Sequence, residues 1–239
     1  MKKLAILGMA STWKNAPFDK PDEWEFWAIN EMYSLAPQVP NFKADRWFEV
    51  HDRYSESKNT PTHRKFLAEC QCPVYMWQHY DDIPQSVRYP LDEVMNFFAD
   101  KGINGARYHT ESITWMVALA LYEGYETIAI HGVDFANASE YDYQRPCYEY
   151  WIGIGEGMGR TVIVPQTDDP LKALCLYGFE EQTALMDFAR EQQKAAQDAL
   201  QKKAQEQASI EQQTMKVIIT RAEHRGAIAA YSELQRRAQ

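Results

Sequence analysis

Residues 111–137, with the sequence ESITWMVALALYEGYETIAIHGVDFAN, decide the fold of this chain. They begin with an apolar run long enough for a buried helix, turn at Gly124, and continue into the short apolar run 127–131. Polar residues follow from Gly132 onward. A buried helix, a tight turn and a buried strand in this order form the αβ half of a nucleotide-binding unit. Open α/β sheets bind their ligands beyond the carboxyl ends of such strands.

A matching strand and loop lie at the N-terminus. Residues 3–7 form a short apolar run, and the small residues 8–12, GMAST, follow it directly. Glycine lets the backbone turn sharply after a strand, and the hydroxyl and N–H groups of small residues can donate to a phosphate. Gly8, Ser11 and Thr12 are therefore candidate phosphate ligands, with a plain strand-to-helix turn as the alternative. The two strand ends predict one crevice that holds a phosphate-bearing ligand.

Strands and helices alternate along the first 178 residues. The short apolar runs predicted as strands are 3–7, 25–30, 47–51, 73–77, 127–131 and 161–165, and the segments predicted as helices are 91–100, 111–123 and 148–157. This alternation predicts an α/β fold with a Rossmann-like, mostly parallel sheet and helices on both faces. Two polar segments, 55–61 and 81–90, are predicted as surface loops, and either could be a flap over the crevice.

The composition changes after residue 178. Residues 179–225 contain no glycine or proline, and Gln, Ala, Glu and Lys, which favour helix, dominate them. A helix of this length would span about 70 Å at 1.5 Å per residue. We therefore predict a nucleotide-binding domain over residues 1–178 and a helical arm over residues 179–239, which could break into a hairpin near Ala208. Apolar residues near heptad spacing favour a homo-oligomer formed through a coiled coil, with a solvated helix as the alternative.

The charge distribution argues against one class of partner. The net charge is −9, and the arm balances nine Lys/Arg with nine Asp/Glu, so the whole excess of acid falls on residues 1–178. Non-specific binding to nucleic acid depends on Lys and Arg that neutralise phosphates. We therefore expect no non-specific nucleic-acid binding by this domain.

The sequence predicts a cytoplasmic protein. No apolar run approaches the roughly 18 residues that a membrane helix needs, so we expect no membrane partner. The apolar run behind the N-terminal lysines stops at Gly8, which is short for the apolar region of a signal peptide. The cysteines are Cys70, Cys72, Cys147 and Cys175, and the C-x-C pair has no second pair at zinc spacing. We expect ordinary reduced thiols.

Three polar residues follow predicted strands and face the predicted crevice. Asn30 ends the second strand, and its amide can bind a ribose hydroxyl or a phosphate; a turn or helix cap is the alternative. His51 closes the third strand beside an acid and is a candidate base or metal ligand, unless a loop carbonyl holds it. Asp134 follows the strand 127–131 and can hold a metal or a hydroxyl, or stabilise its loop.

Residues 109–112, HTES, precede the long apolar helix. Thr110 or Ser112 can cap this helix, and Glu111 can lie in its first turn. The same helix end offers backbone N–H groups to an anion. His109 stands beside it and is a second candidate base.

The segment 139–145, SEYDYQR, combines phenols, acids and an arginine. Tyr141 and Tyr143 could stack on a base or bind a phosphate. Arg145 could hold a diphosphate with its planar guanidinium. The alternative is an ordinary surface loop.

These segments together resemble a known family. The first strand with its G-x-x-S loop, the strand end Ile29–Asn30 and the stretch 111–135 are similar to the bacterial sialyltransferases of glycosyltransferase family 42. The positions that carry the similarity are Ser112, Met116, Ala118, Ala120, Gly124, Tyr125, Ile128, Gly132, Asp134 and Phe135. The chain also resembles motility-associated glycosyltransferases, 6-hydroxymethylpterin pyrophosphokinase-like proteins and phage-encoded proteins. Location in the host cytoplasm would follow for a phage protein.

The resemblance implies a crevice for a cytidine nucleotide or nucleotide sugar. The residues implied to contact the nucleotide are the loop 8–12, Asn30, Glu111 and Ser112. Tyr141 and Tyr143 fall where the family has two tyrosines that hold the departing phosphate. The family's base is a histidine nearer the C-terminus, and here the only later histidine is His224 in the arm. His51 or His109 would then have to act as the base.

Glu111 departs from the family pattern. It stands where those transferases have a threonine, and its charge would repel a phosphate unless a metal or Arg145 intervened.

Three functions follow from these observations. The first is a glycosyltransferase-like enzyme that uses a nucleotide sugar and an unknown acceptor. The second is a pyrophosphokinase-like enzyme in which Asp134 and Glu111 carry Mg²⁺ across ATP phosphates. The third is a non-catalytic protein that binds or sequesters a nucleotide.

Overall fold

The computed structural model describes residues 3–40, 42–51, 60–135, 140–165, 171, 176–179 and 181–237. The chain divides into two units, Met1–Lys172 and Ala173–Gln239. In the described part of the first unit, seven strands form one sheet, and all their neighbouring pairs are parallel. The strands are β1 (Lys3–Leu7), β2 (Trp24–Ile29), β3 (Arg46–Phe48), β4 (Val74–Met76), β5 (Ser86–Arg88), β6 (Thr127–His131) and β7 (Thr161–Ile163). The predicted Rossmann-like α/β fold is confirmed.

The strand order places β1 at a topological switch point. The order is β5-β4-β3-β2-β1-β6-β7, so the chain first moves outward from β1 through β2 and later continues on its other side through β6. The loops that follow β1 and β6 therefore start at the carboxyl ends of two adjacent strands and lead in opposite directions. In open α/β sheets this is where a ligand crevice forms.

Alternate residues of β1 belong to two cores, one on each face of the sheet. Leu4 and Ile6 pack in a core with residues of α2 (Leu91–Ala99), α3 (Ser112–Tyr122) and α4 (Arg145–Gly157). Ala5 and Leu7 pack in the other core with residues of α1 (Pro61–Glu69) and Trp13. Both faces are covered, which explains why the central strands are continuous apolar runs.

Two elements of the fold were not predicted from the sequence. The strand β5 lies inside the predicted loop 81–90 and pairs with β4 at the edge of the sheet. It carries a serine, a valine and an arginine, so backbone pairing rather than an apolar pattern creates it. The helix α1 begins at Pro61, where the Thr60 hydroxyl accepts a hydrogen bond from the His63 N–H at 3.3 Å. Residues 55–59 of the other predicted loop lie outside the described residues.

The segment after β6 is more helical than predicted. Residues Glu140–Gln144 form a single π-type turn that leads into α4, which begins at Arg145 rather than at residue 148. Proline is tolerated in the first turn of a helix, and Pro146 stands in that turn.

A charged cluster connects α3 to the sheet at the amino-terminal ends of the strands, opposite the pocket. The Arg46 guanidinium lies 4.6 Å from the centre of the Trp27 ring. It forms ion pairs with Glu25 at 2.9 Å and with Glu123 at 2.8 Å. Glu123 immediately follows α3, so this cluster fixes the C-terminal end of the helix whose other end borders the crevice.

The second unit contains the helix α5 (Glu181–Arg237), 57 residues long. At 1.5 Å per residue it spans roughly 85 Å. The helix continues through Ala208, so the hairpin considered from the sequence does not form. Its exposed large apolar side chains are Met186, Phe188, Leu200, Ile210, Met215, Val217, Ile228 and Leu234. In the ranges that the structure describes, no helix is long and apolar enough to cross a bilayer.

Candidate active site

A pocket of about 860 Å³ opens at the carboxyl ends of β1, β2 and β6, and the segment after β3 also borders it. Its wall contains Gly8, Met9, Ala10, Ile29, Asn30, Val50, His51, His109, Thr110, Glu111, Ser112, Ile113, Trp115, Gly132, Val133, Asp134, Phe135, Tyr143 and Gln144. Small-molecule sites typically occupy about 300–1,000 Å³, so the space suits a ligand of nucleotide-sugar size. The pocket coincides with the crevice predicted from the sequence.

Two glycines bring the loops after β1 and β6 into backbone contact. The Ala10 N–H donates to the Gly132 carbonyl at 2.8 Å, and the Gly8 N–H donates to the His131 carbonyl at 2.7 Å. A Cβ atom on Gly8 would lie 2.3 Å from the Gly132 oxygen, and Gly132 itself has a φ of 75°. Only glycine meets both requirements without strain.

The two hydroxyl residues of the first loop do not form the pocket wall. The Thr12 hydroxyl accepts a hydrogen bond from the Gly132 N–H at 3.2 Å, so it braces the two loops. Ser11 is exposed in the short 3₁₀ helix Ser11–Asn15. The wall contains Gly8, Met9 and Ala10 of this segment instead. The predicted loop therefore borders the pocket through its first three residues, and its role in binding a phosphate stays a prediction.

Asn30 adopts a left-handed backbone at the end of β2, with a φ of 49°. Asparagine tolerates this conformation better than most residues do. Its carbonyl accepts a hydrogen bond from the Trp47 indole at 3.0 Å, which fixes the turn. Its side-chain oxygen is buried and has no partner among the described residues. A buried acceptor without a partner on a pocket wall is a candidate ligand contact.

A buried carboxylate holds two histidines beside the pocket. The Glu49 carboxylate accepts hydrogen bonds from His51 Nδ1 at 2.7 Å and from His63 Nε2 at 2.8 Å. Burial would raise the pKa of Glu49, but the hydrogen bonds and charges of the two histidines outweigh it and lower that pKa to about 2. Glu49 is therefore ionised at neutral pH and can only accept hydrogen bonds.

This arrangement fixes the tautomer of His51. In the neutral form of the ring, Nδ1 carries the proton that the carboxylate accepts, and Nε2 is the proton acceptor. The His51 side chain is about one-third exposed and belongs to the pocket wall. The Trp77 indole donates to the Val50 carbonyl at 2.9 Å and thereby fixes the backbone next to it. An oriented imidazole next to an ionised carboxylate is suited to general-base chemistry.

His109 is a weaker candidate for the base. Its ring stacks on Trp115 and Trp151, with ring centres 3.7 and 4.5 Å apart. The Thr114 hydroxyl donates to the Glu111 carbonyl and accepts from His109 Nδ1, which leaves Nε2 buried without a partner among the described residues. Burial lowers the pKa of His109 to about 4, so the ring stays neutral.

Glu111 caps α3 with its own carboxylate. It accepts hydrogen bonds from the N–H groups of Ile113 and, at 2.8 Å, Thr114. The sequence had suggested Thr110 or Ser112 as the cap, but neither residue caps the helix. The Thr110 hydroxyl donates to the Tyr143 carbonyl instead. Burial raises the pKa of Glu111 to about 7, although these N–H groups oppose the rise. The helix end that would bind an anion is thus filled by the chain's own side chain.

The remaining predicted residues differ in their access to the pocket. Asp134 and Tyr143 are exposed and belong to the wall, as does Ser112. The side chain of Tyr141 lies outside the described residues. Arg145 does not belong to the wall, and its Nε donates to Glu149 at 2.7 Å in the first turns of α4.

The described carboxylates do not form a magnesium site. Mg²⁺ needs carboxylate oxygens that are free to coordinate. Both Glu111 oxygens already accept backbone hydrogen bonds, and only Asp134 adds an exposed carboxylate to the wall. Over the ranges that the structure describes, no three His, Cys, Asp or Glu residues are grouped so as to hold a metal. Glu111 and Asp134 therefore do not offer Mg²⁺ the two free carboxylates that the pyrophosphokinase hypothesis assigned to them.

Sequence reasoning missed Glu49 and His63. Glu49 stands two residues before His51, and this E-x-H pattern at a strand end could have suggested the pair. His63 lies on α1, a helix that was not predicted. A Thr-Pro pair at residues 60–61 is a helix-start signal that would have found it.

Comparisons with known proteins support the fold. No protein-family model matches the chain, and neither does any curated protein. The chain is similar to the solved structure of monomeric CstII, with a TM-score of 0.50 and 16% identity over 68% of this chain and 80% of that chain. The sialyltransferase CstII from Campylobacter jejuni in complex with CMP-3FNeuAc gives a TM-score of 0.49 and 15% identity over 69% and 81%.

An α-2,3-sialyltransferase from Campylobacter jejuni gives a TM-score of 0.48 and 14% identity over 71% of this chain and 77% of that chain. Identities this low show likeness of fold alone. The resemblance to sialyltransferases is confirmed at that level, and the resemblance to pyrophosphokinase-like and phage-encoded proteins stays a prediction.

Proposed function

We propose that this protein is a glycosyltransferase-like enzyme that binds a nucleotide sugar in the pocket and transfers the sugar to a hydroxyl acceptor. The observation that carries the proposal is the hydrogen-bonded pair of Glu49 and His51, 2.7 Å apart, beside the carboxyl ends of the strands. A base that is oriented by a buried carboxylate and exposed to a pocket has a chemical use that a purely structural histidine lacks.

The pocket supports a nucleotide sugar as the ligand. It lies at the switch point of a parallel sheet, where nucleotides bind in folds of this kind. The unpartnered Asn30 oxygen can accept a hydrogen bond from a ribose or sugar hydroxyl. Trp115 is part of the wall and offers an aromatic surface to a ring.

The residues suggest a direct transfer. His51 Nε2 removes the proton of the acceptor hydroxyl as its oxygen bonds to the anomeric carbon of the donor. The bond between that carbon and the nucleotide phosphate breaks at the same time, and the nucleotide leaves with the electron pair. Glu49 stabilises the imidazolium that forms. The Tyr143 and Ser112 hydroxyls, both on the wall, are available to donate to the departing phosphate.

A panel of nucleotides and donors tests the proposal. Thermal shift and product analysis would cover CMP, CDP, CMP-sugars, UDP-sugars and ATP, each with and without Mg²⁺. We expect metal-independent stabilisation by one nucleotide class and slow release of sugar from its donor. AMP release that requires Mg²⁺ would favour a pyrophosphokinase-like enzyme instead.

Stabilisation without a product would indicate a protein that binds or sequesters a nucleotide. No response to any nucleotide would refute the assignment of the pocket.

The second unit has a separate proposed role. We propose that the arm, residues 179–239, mediates self-association, because α5 exposes large apolar side chains along its length. Burying such residues against a second copy is the usual way in which long helices are stabilised. Sedimentation of the full chain and of a chain that ends at residue 178 tests this. The proposal is refuted if the full chain and the shortened chain both sediment as monomers.

A further inference from the structure

Two thiols lie within hydrogen-bonding distance on the face of the sheet that carries α1. The segment Cys70-Gln71-Cys72 connects α1 to β4, and the Sγ atoms of the two cysteines are 3.5 Å apart. Cys70 is buried and Cys72 is partly exposed. Neither residue belongs to the wall of the pocket, so the proposed transferase chemistry makes no use of this pair.

The local geometry brings the sulfurs together. Cys70 follows the last turn of α1 with an extended backbone, at φ −60° and ψ 136°. The chain then bends at residues 71–72 before Pro73 directs it into β4. The two sulfurs need to approach by about 1.5 Å to reach the roughly 2.0 Å of a disulfide bond. Side-chain rotation can supply most of a movement of this size.

The same contacts activate one thiol. The hydrogen bond from the Cys72 thiol lowers the pKa of Cys70 to about 7, although burial acts in the opposite direction. The pKa of Cys72 is raised, first by its hydrogen bond to Cys70. A thiolate next to a second thiol is the arrangement of dithiol redox pairs, in which one cysteine attacks and the other resolves the mixed disulfide.

We propose that Cys70 and Cys72 form a reversible intramolecular disulfide by exchange with a low-molecular-weight disulfide such as oxidised glutathione. In the first step the Cys70 thiolate attacks one glutathione sulfur, which forms a mixed disulfide and releases one glutathione thiolate. Cys72 then gives up its proton and attacks the Cys70 sulfur, which releases the second glutathione. Two protein thiols are oxidised, and one glutathione disulfide is reduced to two thiols.

The proposal is tested on the full chain in buffers with different ratios of oxidised to reduced glutathione. Free thiols are trapped with an alkylating agent, and intact mass and peptide mapping follow. A Cys175→Ser background leaves Cys147 as the remaining cysteine outside the pair, and Cys147 is buried in the other core. We expect the loss of two hydrogens, mapped to residues 70–72, with full reversal by dithiothreitol.

Two variants separate a redox pair from two thiols that merely contact each other. Cys72→Ser removes the resolving thiol, so we expect glutathione to remain attached to Cys70 in place of the disulfide. Cys147→Ser serves as the matched control and is expected to leave disulfide formation unchanged. The proposal is wrong if both cysteines stay alkylatable in every buffer, or if the unmutated pair accumulates only the mixed disulfide with glutathione.

Discussion

Replacing Glu111 with Gln removes a negative charge from the N-terminus of α3 while the side chain keeps its size. Because the folded pKa of Glu111 is about 7, the carboxyl group is largely protonated well below that pH and largely ionised well above it. We expect Glu111→Gln to bind a phosphate-bearing nucleotide more tightly than the unmutated protein above about pH 7. The two proteins should bind alike near pH 5, where neither carries the charge.

The stability of the fold should change with pH for the same reason. Burial raises the pKa of Glu111 from 4.5 to about 7. This difference corresponds to about 3 kcal/mol, at 1.36 kcal/mol for each pKa unit. A group whose pKa is higher in the folded than in the unfolded state stabilises the fold fully at pH values below its unfolded pKa. This stabilisation is lost as the pH rises through its folded pKa. The unmutated protein should therefore lose about 3 kcal/mol relative to Glu111→Gln between roughly pH 4.5 and pH 8.

Urea unfolding followed by tryptophan fluorescence measures the stability, and calorimetry with CMP measures the affinity. Glu93→Gln is the matched control, since Glu93 is an exposed acid in the first turn of α2. The stability of this variant, measured at the same pH values, shows what the loss of an exposed carboxylate alone contributes. The reasoning is refuted if the stability difference between Glu111→Gln and the unmutated protein is the same near pH 5 and near pH 8.

Three further substitutions test other parts of the structure. Gly8→Ala places a Cβ atom 2.3 Å from the Gly132 oxygen, so we expect a loss of about 1–3 kcal/mol in the free energy of unfolding and weaker nucleotide binding. Unchanged binding would contradict the importance of this backbone contact. Arg46→Met leaves the partly buried Glu25 and Glu123 without their cation, so chemical denaturation should show a loss of about 1–3 kcal/mol in the free energy of unfolding. An unchanged stability would contradict this. His63→Leu removes one hydrogen-bond donor from Glu49, so the turnover rate should fall roughly 10–100-fold with little change in KM. An unaltered rate would show that His63 has no positioning role.

The sequence alone was sufficient to predict the central strands of the sheet. The strands β1 and β6 have the predicted bounds, because strands buried on both faces are continuous apolar runs that end at small or polar residues. The edge strand β5 and the helix α1 were missed for the opposite reason. An exposed edge strand is held by backbone pairing, and α1 buries only part of one face, so neither has a strong apolar pattern.

The candidate site was predictable as a place but not as a set of contacts. Loops at a switch point follow from strand order, which is why Gly8, Asn30 and Asp134 were found on the wall. Which histidine can act as a base depends on neighbours that are distant in sequence. Glu49 orients His51, whereas two tryptophans enclose His109. Thr12 and Arg145 were predicted to contact the ligand. In the fold, the Thr12 hydroxyl accepts a hydrogen bond from the Gly132 N–H, and Arg145 donates one to Glu149.

The most direct test of the proposed transferase is the rate of nucleotide release from a CMP-sugar by the unmutated protein and by His51→Ala, measured together with the affinity for CMP. His224→Ala is the control, since His224 is exposed on α5. If His51 is the base, His51→Ala should lose roughly 100-fold or more in rate while it retains its affinity for CMP, and the control should lose neither. Equal rates for His51→Ala and the unmutated protein would contradict the role of His51 as the base.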